Sequence, residues 1–362
     1  MIHAFDTQDE VFAAAFSILE NAISRGAFPG ASVAITHKGK LVALKSFGRF
    51  TYEAESPVVR TDTLFDLASV TKVIATTTMA MILYERGVLD LEVPVVQIVP
   101  EFRGADSRRA EVTSRMLLGH SSGLPAYEKL FLTARTKEAL LATVFETALV
   151  ADPRTQAVYS DIGFMLLGVV LERIAGEPLD RFSQREIFGP CAMTQATFKP
   201  PAGLRRAIPP TVDDQVFRHR VIQGEVNDEN ASVMGGVAPQ AGVFAAAADV
   251  AIFAHSLMNG TGLRLRAETV SLFTRRESAP QGTSRALGWD TPSPSSQSGQ
   301  YFSHYSFGHL GYTGTSLWID AERGISITLL TNRTWPDGTQ MEIKAVRPKF
   351  HDAVMRVLLE QK

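Results

Sequence analysis

The 362 residues carry 36 Lys and Arg against 38 Asp and Glu, a formal net charge of −2, so nothing in the balance marks a nucleic-acid or anionic-membrane binder. The single cysteine, Cys191, can form neither an internal disulfide nor a Cys–Cys metal knuckle. With 45% hydrophobic and 20% charged residues the chain is globular, and its length allows about two domains.

Residues 1–20 hold no Lys or Arg, and Asp6, Asp9, Glu10 and Glu20 interrupt them, so the basic n-region of a secretory leader is missing. No run reaches the ~18 apolar residues of a membrane span. A cytoplasmic protein without membrane contact is the expectation. Residues 8–25 read as an amphipathic helix, with Val11, Phe12, Ala15, Ile18, Leu19 and Ile23 near helical spacing. Strands at 31–36 and 41–47 follow, joined through Lys38-Gly39-Lys40 as a hairpin. A long helix spans 67–86 and stops at Gly87. From there to about residue 240 the chain reads as helices and irregular loops, and 243–258 is helical again. The Ser- and Pro-rich stretch 291–300 reads as a surface loop. Strands at 315–319 and 325–331 and a helix at 345–359 close the chain.

Hairpins at both ends can share one antiparallel sheet only if the middle is an insertion. The expected architecture is therefore a mixed α/β (α+β) fold. Residues 1–66 and 243–362 form a discontinuous sheet domain flanked by the terminal helices, and 67–242 a mainly helical inserted domain. A cleft between the two is the natural ligand site.

Three short motifs could carry chemistry. In Ser69-Val70-Thr71-Lys72 the spacing puts Lys72 on the same helix face as Ser69, in a first turn that Asp66 can cap. Serine is a weak nucleophile until a base takes its proton, and a desolvated lysine can do so. Taken alone, the same residues describe a surface lysine beside a serine. In Tyr159-Ser160-Asp161, Tyr159 could relay protons and Asp161 could hold Lys72; alone, it reads as a buried tyrosine with an N-cap aspartate. In the segment 308–314, Gly311 and its neighbouring glycines let substrate approach main-chain N–H groups, an oxyanion site, and His309 could donate to substrate. Alone, that histidine is structural and the glycines are turns.

A competing signal is Gly119-His120-Ser121-Ser122-Gly123, which fits the nucleophile elbow of α/β-hydrolases. The elbow needs a strand before it and a helix after it; here Leu124-Pro125 follows at once. His120 reads instead as a structural histidine behind the cleft. Metal chemistry is poorly supported: the eight histidines are scattered, and Asp228-Glu229-Asn230 is a lone polar cluster. No phosphate-binding glycine motif occurs, and no cofactor is expected.

Together, the order Ser-x-x-Lys, Tyr-x-Asp, His-x-Gly at these separations resembles the serine β-lactamase and penicillin-binding superfamily, in its class C-like branch. Residues 65–72 are similar to that branch's nucleophile segment, 117–125 to its L-L-x-H-T-S-G-L-P, 187–193 to its I-F-x-P-L-G-M turn, and 242–251 to G-V-x-S-T-A-x-D-L-A. Residues 308–319 resemble the strand beside the active site, and 224–231 an H-D-E-N-A motif with Asn227 for the histidine. The resemblance implies a β-lactamase/transpeptidase-like fold and acyl transfer through an ester on Ser69. It implies that Lys72 and Tyr159 manage the proton, and that the N–H groups of Ser69 and Tyr312 bind the oxyanion. Asp161 stands where the family usually has asparagine, so it could hold Lys72 as a cation and leave Tyr159 the better base. His309 stands for the lysine of K-T-G, and Leu310 for its threonine, which weakens the reading of a substrate carboxylate. The expected substrate is then a small neutral ester, as for family VIII carboxylesterases, ahead of the peptides and β-lactams of the wider family. A slow-deacylating penicillin sensor and an α/β-hydrolase acting through Ser121 are the competing readings. Cys191 falls in the turn resembling P-L-G-M, where packing suffices.

Overall fold

A computed structural model describes residues 7–360. Residues 1–6, on which part of the leader reading rests, and 361–362, the end of the expected sheet domain, lie outside the described residues.

Strands from both ends of the chain share one antiparallel sheet. The hairpin β1 (Gly30–His37) and β2 (Lys40–Gly48) is joined by β8 (Phe307–Leu310), β9 (Ser316–Asp320) and β10 (Ile325–Thr331), in the order β2-β1-β10-β9-β8. The register runs from Ala31 opposite Thr331 to His37 opposite Ile325. Alternation sends Val33, Ile35, Trp318, Ile327 and Leu329 to one face, where the helices Ala13–Ser24 and Ile343–Glu360 cover them with Phe16, Leu19, Phe350 and Val354. Ala34, Leu317, Ile319 and Leu330 face the other way, into the larger core that includes the helix Ala247–Asn259. Both faces of β1 and β10 are thus buried, which is why these strands read as nearly unbroken apolar or small residues.

Between the two ends lie mostly helices, with the long apolar helix Asp161–Ala175 at their centre. Two small sheets interrupt them, contrary to the helical reading of this stretch. β3 (Phe65–Asp66), β7 (Val243–Ala245) and β4 (Thr197–Phe198) pair in the order β3-β7-β4, and β5 (Pro210–Asp214) pairs with β6 (Arg220–Gln223). Strands of two to five residues are too short to show a period.

Four further expectations change. The first helix breaks at Phe12 into Gln8–Val11 and Ala13–Ser24. The expected helix 67–86 is a 3₁₀ turn (Ala68–Val70), a π-helical turn (Lys72–Thr77) and an α-helix (Thr78–Glu85). The run Thr76-Thr77-Thr78 marks the break: Thr78 Oγ1 donates to the Val73 carbonyl five residues back, drawing it out of the α ladder, and Thr76 Oγ1 ties the turn to the Pro239 carbonyl. The first three residues of 243–258 are strand β7. The stretch 291–300 is no free surface loop, because Ser296 and Ser298 are buried and His351 Nδ1 lies 3.1 Å from the Ser298 carbonyl. Among the described residues no helix is long and apolar enough to cross a membrane.

Candidate active site

The Ser69 turn begins where β3 ends. Asp66 Oδ1 accepts from the Ala68 N–H at 2.8 Å and Oδ2 from the Asn227 N–H at 2.6 Å, so one carboxylate pins both the approach to Ser69 and the segment before Asp228. Burial pushes the Asp66 pKa up to about 6, against those hydrogen bonds. Ala68 is held at φ 46°, a conformation non-glycine residues rarely adopt. One turn on, the fully buried Lys72 Nζ donates to Ser69 Oγ at 3.0 Å and to the Gln240 carbonyl at 3.2 Å, and lies 2.6 Å from Asp161 Oδ1. Burial alone would lower the Lys72 pKa; the Asp161 carboxylate, backed by Tyr159, outweighs it and raises it.

Asp161 is free for this pairing because Ser160, not Asp161, caps the helix Asp161–Ala175. Ser160 Oγ accepts from the Gly163 N–H at 2.9 Å and donates to the Pro125 carbonyl at 2.6 Å. The cap is in turn held by His120, whose Nδ1 accepts from the Ser160 N–H at 3.0 Å. The His120 ring stands between Phe164, at 5.0 Å, and Tyr159, at 4.6 Å. Burial, then the nearby Arg285 and Lys72 cations, keep it neutral. The segment containing Ser121 is therefore the backing of Tyr159. It follows a helix (Ser114–Leu118) rather than a strand, and Ser121 is not in the cavity wall. That geometry removes the elbow reading.

Tyr159 lies with its ring 4.8 Å from Lys72 Nζ and 5.2 Å from the Arg285 guanidinium carbon. Its buried hydroxyl meets no partner at full hydrogen-bond geometry. Burial raises its pKa and Asp161 adds to this, while Lys72 and the Ser69 hydroxyl pull it down.

The third motif is strapped onto the first. Thr313 Oγ1 donates to the Asp66 carbonyl and Thr315 Oγ1 to the Leu67 carbonyl, both at 2.8 Å. A Cβ on Gly311 would sit 2.5 Å from the Leu67 oxygen, so only glycine permits this approach. Among the described residues neither the Ser69 nor the Tyr312 N–H finds a protein acceptor. His309, in β8, corrects one expectation. Its Nδ1–H donates to the Leu310 carbonyl at 2.8 Å, and burial followed by the Lys72 and Arg285 cations pushes its pKa well below the ordinary value. Neutral His309 thus presents a bare, buried Nε2 that accepts rather than donates.

Ser69, Tyr159, Asp161, His309, Gly311 and Tyr312 line one cavity of about 1020 Å³, with Lys72 directly behind it. Cys191 is buried elsewhere in the core. The cavity also gathers residues that no local pattern singled out: Arg285, Arg333, Arg347 and Gln297, and the Asp228-Glu229 pair read as a polar loop. Arg347 donates through its two terminal nitrogens to the Gly311 and Thr315 carbonyls and to Gln297, while its buried Nε meets no partner. The Arg285 guanidinium makes no hydrogen bond among the described residues, and its carboxylate neighbour, Asp290, is 3.6 Å away. A lone arginine carries no sequence signal; the Tyr159 ring beneath it is what makes it notable.

The β-lactamase family model matches residues 15–347. A putative D-alanyl-D-alanine carboxypeptidase of Escherichia coli (strain K12) is 30% identical over 346 residues, covering 84% of this chain and 79% of that protein. An N-acetylmuramyl-L-alanine amidase of Bacillus subtilis (strain 168) is 30% identical over 358 residues, covering 87% and 79%. Among solved structures, EstCE1, a hydrolase with promiscuous acyltransferase activity, superposes with a TM-score of 0.79 at 22% identity, over 97% of this chain and 100% of that one. A class C β-lactamase from Rhodobacter sphaeroides gives 0.73 at 21% identity, over 96% and 99%.

Proposed function

Because this chain belongs to the β-lactamase family of serine hydrolases, we propose that it hydrolyses small neutral carboxylic esters through an acyl-enzyme on Ser69. The observation that carries the reading is Lys72, held at 3.0 Å from Ser69 Oγ and 2.6 Å from Asp161. Paired with that carboxylate, Lys72 stays an ammonium, so the proton of Ser69 passes to Tyr159. Tyr159 acts as the phenolate, its own proton having gone to solvent beforehand, and the ammonium beneath the ring stabilises that anion until the Ser69 proton reaches it. Ser69 Oγ attacks the substrate carbonyl, and the unused N–H groups of Ser69 and Tyr312 receive the oxyanion. Tyr159 returns its proton to the departing alcohol, and water then releases the acid by the same steps. A site whose lysine is locked as a cation gives limited help to a poor leaving group, and an alcohol needs less help than an amine.

A second reading, hydrolysis of an amide in a carboxylate-bearing peptide, draws on Arg285. Its unbonded guanidinium over the Tyr159 ring offers a bidentate anchor for a carboxylate. The relatives named for carboxypeptidase and amidase activity are in keeping with it. A panel of p-nitrophenyl butyrate, a D-alanyl-D-alanine peptide, a muramyl peptide and a cephalosporin separates the two. Ester turnover that falls at least a thousandfold in Ser69→Ala and survives in Ser121→Ala is expected. Efficient cephalosporin turnover with poor ester hydrolysis would sink the ester reading, and a persistent penicillin adduct without any turnover would mark a sensor.

A further inference from the structure

Arg347 reaches the site from behind. It lies on the C-terminal helix Ile343–Glu360 and is buried. Its Nη2 donates to the Gly311 carbonyl at 2.7 Å and to the Thr315 carbonyl at 2.8 Å, and its Nη1 to Gln297 Oε1 at 3.0 Å. The Gly311 carbonyl and the Tyr312 N–H belong to one trans peptide unit, so they point in opposite directions. The guanidinium therefore grips the back of the amide whose N–H is the proposed oxyanion donor.

The turn has other ties to hold its shape. The Gly314 N–H donates to the same Gly311 carbonyl at 3.1 Å, and the Gly311 N–H to the Thr315 carbonyl at 2.7 Å. Arg333 holds the Tyr312 carbonyl through Nε at 2.7 Å and the Thr313 carbonyl through its N–H at 2.9 Å. What Arg347 adds is charge. Among the described residues no carboxylate pairs with it, and the charged group that bears on it is Arg333, a second cation. Burial, followed by Arg333, pushes its pKa down to about 9, which leaves it a cation at neutral pH. A buried charge without a counter-ion is costly, and bonds to carbonyl oxygens offset only part of that. The anion that answers it arises on the other side of the Gly311–Tyr312 peptide, when Ser69 Oγ attacks and the substrate oxygen takes up negative charge.

We propose that Arg347 is a positioning residue for the oxyanion: its charge polarises the Gly311–Tyr312 peptide and strengthens the Tyr312 N–H as a donor in the transition state. The role rests on the Ser69 acyl-enzyme reading. An amide whose carbonyl is already hydrogen-bonded is a better donor through its N–H. Counting the 2.7 Å contact, the peptide and one further hydrogen bond, the guanidinium stands about 7–8 Å from the oxyanion. At an effective dielectric of ~20, a unit charge at that distance changes the rate about ten- to a hundredfold. A neutral ester in its ground state feels little of this field, so the effect falls on kcat rather than KM.

The test pairs ester kinetics with NMR. Gly311-Tyr312 is the only Gly-Tyr pair in the sequence, so glycine labelled with 13C at its carbonyl and tyrosine labelled with 15N give a single cross-peak for this peptide. In wild type the Gly311 carbonyl is expected downfield of the ordinary glycine range, and Arg347→Gln is expected to move it back. On p-nitrophenyl butyrate at neutral pH, Arg347→Gln should lower kcat about ten- to a hundredfold with KM within about threefold. Arg347→Lys, which keeps a cation, should regain most of the lost kcat. A kcat within about threefold of wild type in Arg347→Gln, an effect confined to KM, or equal losses in both substitutions overturns the role of Arg347 alone. If neither substitution folds, a wild-type Gly311 carbonyl at an ordinary shift overturns it and a downfield one supports it. A wild type that turns over no ester and forms no adduct on Ser69, read by intact-protein mass, overturns the nucleophile assignment and this role with it.

Discussion

Asp161→Asn replaces the carboxylate beside Lys72 with the amide that the family resemblance leads one to expect. The ion pair spans 2.6 Å, with Lys72 fully buried and Asp161 16% exposed. Removing one partner of a buried pair costs about 3–5 kcal/mol because the other is left uncompensated. Lysine has an escape, however. Shedding its proton at pH 7 from a reference pKa of about 10.4 costs about 4.6 kcal/mol, which caps the loss. The asparagine oxygen still accepts a hydrogen bond and returns about 1 kcal/mol. The expected loss at pH 7 is therefore about 2–4 kcal/mol. Its pH dependence has a definite sign. In wild type the Lys72 pKa is raised, so the pair's contribution is complete below the unfolded value and is lost only above it. In the variant, burial is left unopposed and the folded pKa falls below the unfolded one. The unfolded state then binds more protons, and stability rises by about 1.4 kcal/mol per pH unit between the two values. Urea denaturation of both proteins at pH 7, 8 and 9 should show the gap closing as pH rises. A gap below about 1 kcal/mol at pH 7, or one constant to pH 9, would refute the reasoning.

Gly311→Ala places a Cβ 1.9 Å from Thr315 Oγ1 and 2.5 Å from the Leu67 oxygen. Either the Thr315–Leu67 bond breaks or the turn lifts and carries the Tyr312 N–H away, so kcat for an ester should fall about 10²–10³-fold with a smaller change in KM. Steady-state kinetics within threefold of wild type would show that this approach does not position the oxyanion donors. Stability towards acid should have an unusual shape. Buried His120, His309 and His351 stay neutral in the fold, the last with a pKa of about 3, so each costs about 1.4 kcal/mol per unit as pH falls below 6.5. Asp66, Asp228 and Asp249 hold their protons up to about 6, 7 and 6, so each gains the same amount per unit between pH 6 and the unfolded carboxyl value. Denaturation midpoints should be nearly flat from about pH 6 to 4.5 and fall steeply below about 4, where the unfolded carboxyls also protonate. A steady decline beginning at pH 6.5 would mean the carboxyls are not protonated in the fold.

What could be read in advance follows the range of the interactions. Ser69 and Lys72 are one turn apart, and Tyr159 and Asp161 flank a cap, so local spacing alone suggests their meeting. The outer sheet is legible because β1 and β10 are long and buried on both faces. β3, β4 and β8 are two to four residues long and exist because they pair, which no period in the chain reports. From the sequence His309 could donate to substrate; its Nδ1 proton is committed instead by the position of the Leu310 carbonyl, a detail of one turn. Asp228 and Arg285 lie beyond any local pattern: one meets Lys72 through a residue 12 positions further along, the other meets Tyr159 from 126 positions away. These are also the groups that fix the charge of the site. In the proposed mechanism the visible substitution, Asp161 for the usual amide, holds Lys72 as a cation and leaves the base role to Tyr159. How readily a phenol loses its proton depends on the sum of the charges around it, and that sum is set by folding rather than by any one motif.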